Sequence, residues 1–228
     1  MHMPDVDAAA HEVRETVNAV KPKLRGWLHA GTFPLSVAMG VVLVVLAPTT
    51  EAKVSTAVFA VTAAMLFGGS ALYHRFNWSP EVAAVLRRLD HANIFLIIAG
   101  TYTPFTLMLL DNRDATILLS VVWGGALIGV AFRVLWLKAP RWLYVPVYIA
   151  LGWAAAFWLP DFFGTSVAIA TLVILGGVLY SAGAIVYATK KPNPSPRWFG
   201  FHEVFHSFTI AAFIAHYAGI SLAVHAQV

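Results

Sequence analysis

The chain alternates long apolar stretches with short polar breaks. Seven apolar stretches run near 27–47, 54–74, 90–110, 115–136, 142–159, 165–188 and 201–223. Each falls in the range of roughly 17–25 residues that a helix needs to cross a hydrocarbon core. The breaks carry turn chemistry: Ala47-Pro48-Thr49, Asn77-Trp78-Ser79-Pro80, Asp111-Asn112-Arg113-Asp114, Lys138-Ala139-Pro140-Arg141, Pro160-Asp161, and Lys190 to Arg197 with three prolines. The two-residue alternation of a membrane barrel is absent. The pattern therefore predicts an all-α integral membrane protein, a bundle of seven transmembrane helices over residues 27–228. Pro34, Pro104 and Pro146 fall inside predicted helices and are expected to kink them. Gly125 and Gly129 form a GxxxG face suited to close helix packing.

Residues 1–26 are the long polar segment. Val6, Val13, Val17, Val20 and Leu24 recur at helical spacing, which reads as a cytoplasmic amphipathic helix on the membrane surface or as a frayed tail. Asp5, Asp7, Glu12 and Glu15 precede the first apolar run, so the segment does not read as a signal peptide.

Composition sharpens this picture. Apolar and aromatic residues make up 59% of the chain and charged residues 11%. A typical soluble domain has about 25% charged residues, so the soluble and disordered classes are excluded. There is no cysteine, which removes disulfides, iron–sulfur clusters and thiolate metal sites; a metal must be held by nitrogen or oxygen. The net charge of +4 would suggest nucleic acid in a soluble protein. Here its placement matters more, and no nucleic-acid partner is expected. One set of polar segments holds 13 of the Lys and Arg residues and the alternate set only Lys53 and Arg113. The positive-inside rule then puts the N-terminus in the cytoplasm and the C-terminus outside. The expected location is the plasma membrane, the inner membrane in a bacterium, crossed several times. A G-protein-coupled receptor has the reverse orientation, and a retinal protein needs a Lys in its last helix, which 201–223 lacks.

An ionisable group within a spanning helix is costly and is a functional hypothesis by default. His74 ends the second predicted helix, one turn after Ser70. Asp90 opens the third, and His202 and His206 open the seventh. Alternating helix directions place all four groups in the cytoplasmic leaflet at similar depth. Residues four apart share one helical face about 6 Å apart along the axis. His202 and His206 can therefore grip one ion, and Ser70 can face the ion that His74 binds. Three imidazoles with an open position make a catalytic zinc arrangement, and Asp90 can bind a metal-bound water or orient a histidine. Each residue also has a plainer reading: an interfacial histidine that snorkels, an Asp90 paired with Arg87 or Arg88, a Ser70 that packs among Gly68, Gly69 and Ala71. His29 is expected to pack or hydrogen-bond near the same layer, while His91 and His216 are weaker candidates.

The segment His202-Glu203-x-x-His206 also matches the HExxH motif of zinc proteases, in which Glu is the general base. A third ligand for that reading is missing, since Leu110-Asp111 lies a membrane thickness away. Glu203 is then a cytoplasm-facing residue beside the site.

Taken together, Ser-x3-His ending a second helix, Asp opening a third and His-x3-His opening a seventh resemble the hemolysin III family. That family belongs to the progestin and adipoQ receptor superfamily, which is related to the alkaline ceramidases. The resemblance runs from about Gly26 to Ala223 and is carried by Ser70-Ala71-Leu72-Tyr73-His74 and Phe201-His202-Glu203-Val204-Phe205-His206. It implies Zn2+ bound by His74, His202 and His206, with Asp90 near the zinc-bound water and Ser70 close by. It implies membrane lipids as partners, lipid amides such as ceramides as the substrate class, and a role in membrane lipid homeostasis. The bacterial branch also carries a haemolysin or channel label. Three functions follow as expectations: a zinc-dependent hydrolase of lipid amides or esters in the inner leaflet, a zinc-stabilised lipid sensor without turnover, and a channel. A conducting path needs polar groups through the full depth, and the outer half of this chain is nearly uncharged.

Overall fold

A computed structural model describes residues 22–137 and 139–226. The expected helix in the N-terminal tail lies almost wholly outside the described residues. Among the described residues, seven helical spans are long and apolar enough to cross a membrane: Trp27–Leu46, Thr50–Arg75, Pro80–Leu109, Asn112–Leu135, Arg141–Thr165, Val167–Thr189 and Phe201–His225. No strand occurs among the described residues; Ser195 and Phe199 form an isolated bridge. The protein is a multi-pass, all-helical membrane protein.

The span starts follow from capping chemistry. The side chains of Thr49, Ser79, Asp111 and Ser166 accept hydrogen bonds from Ala52, Val82, Arg113 with Asp114, and Ile169. Each thereby satisfies backbone N–H groups that a first turn leaves unpaired.

Two boundaries differ from the sequence expectation. The third helix begins at Pro80, about three turns before Asp90. Asp90 therefore sits inside this helix rather than opening it. Pro80 at the first turn fixes a helical φ and lacks the N–H that would otherwise go unpaired. The fifth span does not end at Pro160. It is an α-helix over Arg141–Gly152, a 3-10 turn over Ala154–Trp158 and a second α-helix over Leu159–Thr165. Pro160 occupies the first turn of that second helix, where proline is tolerated, so it restarts the helix and does not stop it.

Consecutive spans pack side by side, and the first closes the ring against the seventh. The third span also touches the fifth and the seventh. It is the central element: 67% of its apolar window is buried, against 22–50% in the others. Glycines set several contacts. A Cβ on Gly125 would lie 2.8 Å from Leu151, and one on Gly129 would lie 2.3 Å from Phe95. The GxxxG face thus packs the fourth span onto the fifth and third.

The outer surface is apolar, as lipid requires: Val45, Ile128, Leu135 and Phe157 all point outward. Trp27, Trp78, Trp136, Trp142 and Trp198 are exposed at one end of the bundle. That end also carries Arg25, Arg75, Arg87, Arg133 and Arg141. A tryptophan belt beside basic residues is the signature of a membrane–water interface.

Candidate metal centre

The candidate site lies at this basic end, where the second span finishes and the seventh begins. His74, His202 and His206 are all buried, and one nitrogen from each lies within 4.8 Å of the others. The Nε2 atoms of His74 and His202 are 3.2 Å apart. Two nitrogens bound tetrahedrally to zinc at 2.0–2.1 Å stand about 3.3 Å apart. The pair therefore already has the spacing of one edge of a zinc site. Imidazole is also the ligand expected of a chain without cysteine. The residues fit a divalent cation such as zinc.

Local sequence explains the convergence. His202 and His206 share a face because they are four apart in one helix. His74 ends the second span, and Gly26 lets the chain pass directly over it. Gly26 has φ 80, and a Cβ there would lie 2.7 Å from the His74 Cβ. Both the left-handed backbone and the close approach require glycine. The strand of chain just before it is fastened down, with the Lys23 and Leu24 N–H groups donating to the Arg197 and Trp198 carbonyls.

Asp90 joins the cluster from the third span, its Oδ2 lying 3.7 Å from His74 Nε2. It pairs with neither Arg87 nor Arg88. Arg88 donates instead to the Val134 carbonyl at 3.0 Å. Ser70 is 1% exposed, and its Oγ has no hydrogen-bond partner among the described residues. It lines the same cavity as Asp90, His202 and His206. A buried hydroxyl without a partner costs free energy unless something binds to it.

His29 packs as expected but makes no hydrogen bond to a described residue. Its ring stacks on His206 with centroids 3.6 Å apart and planes 9° from parallel, and neither ring nitrogen has a partner. His91, weak in the sequence, touches both Arg133 and the Tyr187 hydroxyl. Its neighbours come from spans distant in the chain, so local sequence carries no sign of them.

Glu203 departs from expectation. It is fully buried rather than facing the cytoplasm. One carboxylate oxygen takes the Arg25 guanidinium and the other accepts the Gly200 N–H at 2.8 Å. The carboxylate is thus committed to fastening the start of the seventh span. It is not free to serve as the general base that HExxH implies.

The cluster opens onto two spaces. One is an apolar cavity inside the bundle, with an open volume of about 120 Å³. One water needs roughly 10–15 Å³, so this cavity admits several methylene groups. Ile94, Ile98, Phe105 and Val173 are among its walls, and His216 and Tyr180 line it too. The other space is a polar vestibule lined by Arg25, Arg87, Arg133 and Arg141. Asp90, His91, Tyr187 and His202 border both spaces.

The profile of the haemolysin-III related family matches residues 17–217. The hemolysin-3 homolog of Bacillus subtilis (strain 168) is 35% identical over 158 residues, covering 69% of this chain and 71% of that protein. Hemolysin-3 of Bacillus cereus is 31% identical over 163 residues, with 71% of each chain covered. The adiponectin receptor protein of Drosophila melanogaster is 29% identical over 196 residues, covering 75% of this chain but 43% of that longer protein. With seven apolar spans, a histidine trio at their basic end and a profile match over most of its length, the chain belongs to the haemolysin-III related family.

Proposed function

We propose that the protein is a zinc-dependent hydrolase of lipid amides or esters, working in the cytoplasmic leaflet of the plasma membrane. The observation that carries this reading is the meeting of Ser70, Asp90 and three histidines where an apolar cavity joins a polar vestibule. The basic end faces the cytoplasm in this reading, as the positive-inside rule requires.

His74, His202 and His206 would hold the cation. A bound zinc ion supplies Lewis acidity and makes water a nucleophile near neutral pH. The remaining work falls to the protein. The apolar cavity receives an acyl chain and excludes bulk water from it. Asp90, bordering both spaces, takes a proton from the attacking water and returns it to the leaving group. Ser70 Oγ–H donates to the carbonyl oxygen as negative charge develops there. Its lack of a partner among the described residues leaves that hydrogen bond free for substrate.

A second reading has its own support. The histidines tie the second span to the seventh, so the same cation can act as a structural clamp in a lipid sensor. A lipid screen separates the two. Purified protein carrying one zinc per chain is incubated with ceramides, phospholipids and other acyl lipids, and fatty acid release is measured by mass spectrometry. Release that disappears in Asp90→Asn supports hydrolysis. No release from any class, with zinc bound in full, overturns it and leaves the clamp.

A further inference from the structure

Beyond the histidine cluster, the basic end holds a charge that no described residue neutralises. Arg133 is 1% exposed, and it is the one Lys or Arg buried among the described residues. Its partners are the His91 Nδ1, the Trp136 carbonyl oxygen at 3.5 Å and the ring face of Tyr144 at 4.2 Å. None of these carries a negative charge. A guanidinium that donates to Nδ1 requires His91 to be neutral, with its proton on Nε2. The Nε of Arg133 has no hydrogen-bond partner among the described residues. Basic residues that only set membrane orientation extend their heads into water. Arg133 does the reverse, and a buried charge without a counter-ion is a costly arrangement.

Its neighbours make an anion the natural counter-ion. Arg133 lines the vestibule with Arg87, Arg141 and Arg25, around an open volume of about 400 Å³. Arg25 is taken by Glu203. Arg141 lies over the Tyr187 ring at 4.5 Å and donates to the Tyr187 carbonyl at 3.2 Å. Arg87 is exposed and makes no ion pair with a described residue. The one carboxylate that lines the vestibule among the described residues, Asp90, faces His74. Arg133, Arg87 and Arg141 thus have no carboxylate partner among the described residues, and their charge remains for an anionic ligand.

We infer that Arg133, Arg87 and Arg141 form a subsite for a phosphate group at the mouth of the metal centre. Guanidinium forks match phosphate oxygens in geometry and in charge. Because the vestibule meets the apolar cavity at Asp90, His91, Tyr187 and His202, an amphiphile can place its phosphate among the arginines and its acyl chain between the spans. A lipid phosphate monoester is therefore the favoured ligand class, and free phosphate shares its chemistry. The subsite concerns binding and stands apart from turnover, although it would select phosphate-bearing lipids as substrates in the hydrolase reading.

The test uses the full chain in detergent, titrated with phosphatidic acid, with diacylglycerol of the same acyl chains and with inorganic phosphate. Binding is read by native mass spectrometry. Phosphatidic acid is expected to bind about tenfold or more tightly than diacylglycerol, the value of one strong charge-assisted hydrogen bond. The preference should fall severalfold in Arg87→Gln and vanish in Arg133→Gln, with diacylglycerol affinity unchanged in both. Arg87 is exposed, so its variant keeps the test open if Arg133→Gln does not fold. Inorganic phosphate that binds as tightly as phosphatidic acid and displaces it assigns the subsite to free phosphate; weak phosphate binding assigns it to the headgroup. Equal affinity for the two lipids in the unmodified protein overturns the inference. So does a preference that survives substitution at the arginines, because the phosphate would then be held elsewhere, such as on the cation.

Discussion

The two halves of the seventh span both bury histidines, yet in opposite circumstances. At its start, His202 faces His74 of the second span across 3.2 Å, with His206 one turn away. Near its far end, His216 is also buried, but its ring meets Phe105 and Tyr180 and, among the described residues, no second histidine. Its Nε2 is 3.2 Å from the Val173 carbonyl, and its ring fits against Gly176, where a Cβ would lie 2.1 Å away. Residue type, helix and burial are shared. What differs is the company: imidazoles and a carboxylate from three other spans in one case, a backbone carbonyl, a glycine and two aromatic rings in the other. Burial alone does not make a histidine a candidate ligand. A second nitrogen, brought close by a different element, does.

The largest expected effect tests the chemistry at the crowded end. Asp90→Asn should retain zinc and fold while lowering lipid hydrolysis by about 10²–10⁴, the usual contribution of a general base. Initial rates on a cleaved lipid measure this, and a rate within threefold of the unmodified protein would remove Asp90 from the proton path. Next, Glu203→Gln should destabilise the bundle by about 3–5 kcal/mol, because it leaves the Arg25 guanidinium without its counter-ion. Thermal unfolding in detergent reports that loss, which should exceed any loss from Glu51→Gln at the exposed start of the second span. At the quiet end, Gly176→Ala should cost about 1–3 kcal/mol through overpacking against His216. The smallest effect belongs to His216→Ala, which should leave the zinc stoichiometry unchanged. Zinc loss there would erase the contrast between the two halves.

Much of the fold is legible in the apolar stretches, because lipid demands continuous apolar helices of fixed minimum length. The start of the third helix is not, since Glu81, Arg87 and Arg88 interrupt the apolar run that marks a span. Ser79 as cap with Pro80 at the first turn was the available signal. The internal break of the fifth span at Trp153 is also hidden. It lies within an apolar run, where a 3-10 turn leaves hydropathy unchanged. In the site, helical spacing and depth bring together His74, His202, His206 and Asp90 without any tertiary information. Glu203 and Arg133 are a different matter. The partner of Glu203 is 178 residues away and that of Arg133 is 42 residues away, distances over which spacing says nothing. Arg133 still lies inside the stretch 115–136, so the rule that singles out Asp90 applies to it as well. Counted only toward membrane orientation, it blends in with the other basic residues.

The central claim is that three histidines from two spans hold one metal ion. Elemental mass spectrometry on the detergent-purified protein tests it most directly, with the unmodified chain and His202→Ala measured in parallel. The account predicts about one zinc per chain, reduced to a small fraction in His202→Ala while the helical content of both proteins stays the same. A well-folded unmodified protein without bound metal, or a His202→Ala variant that keeps its full complement, would contradict it.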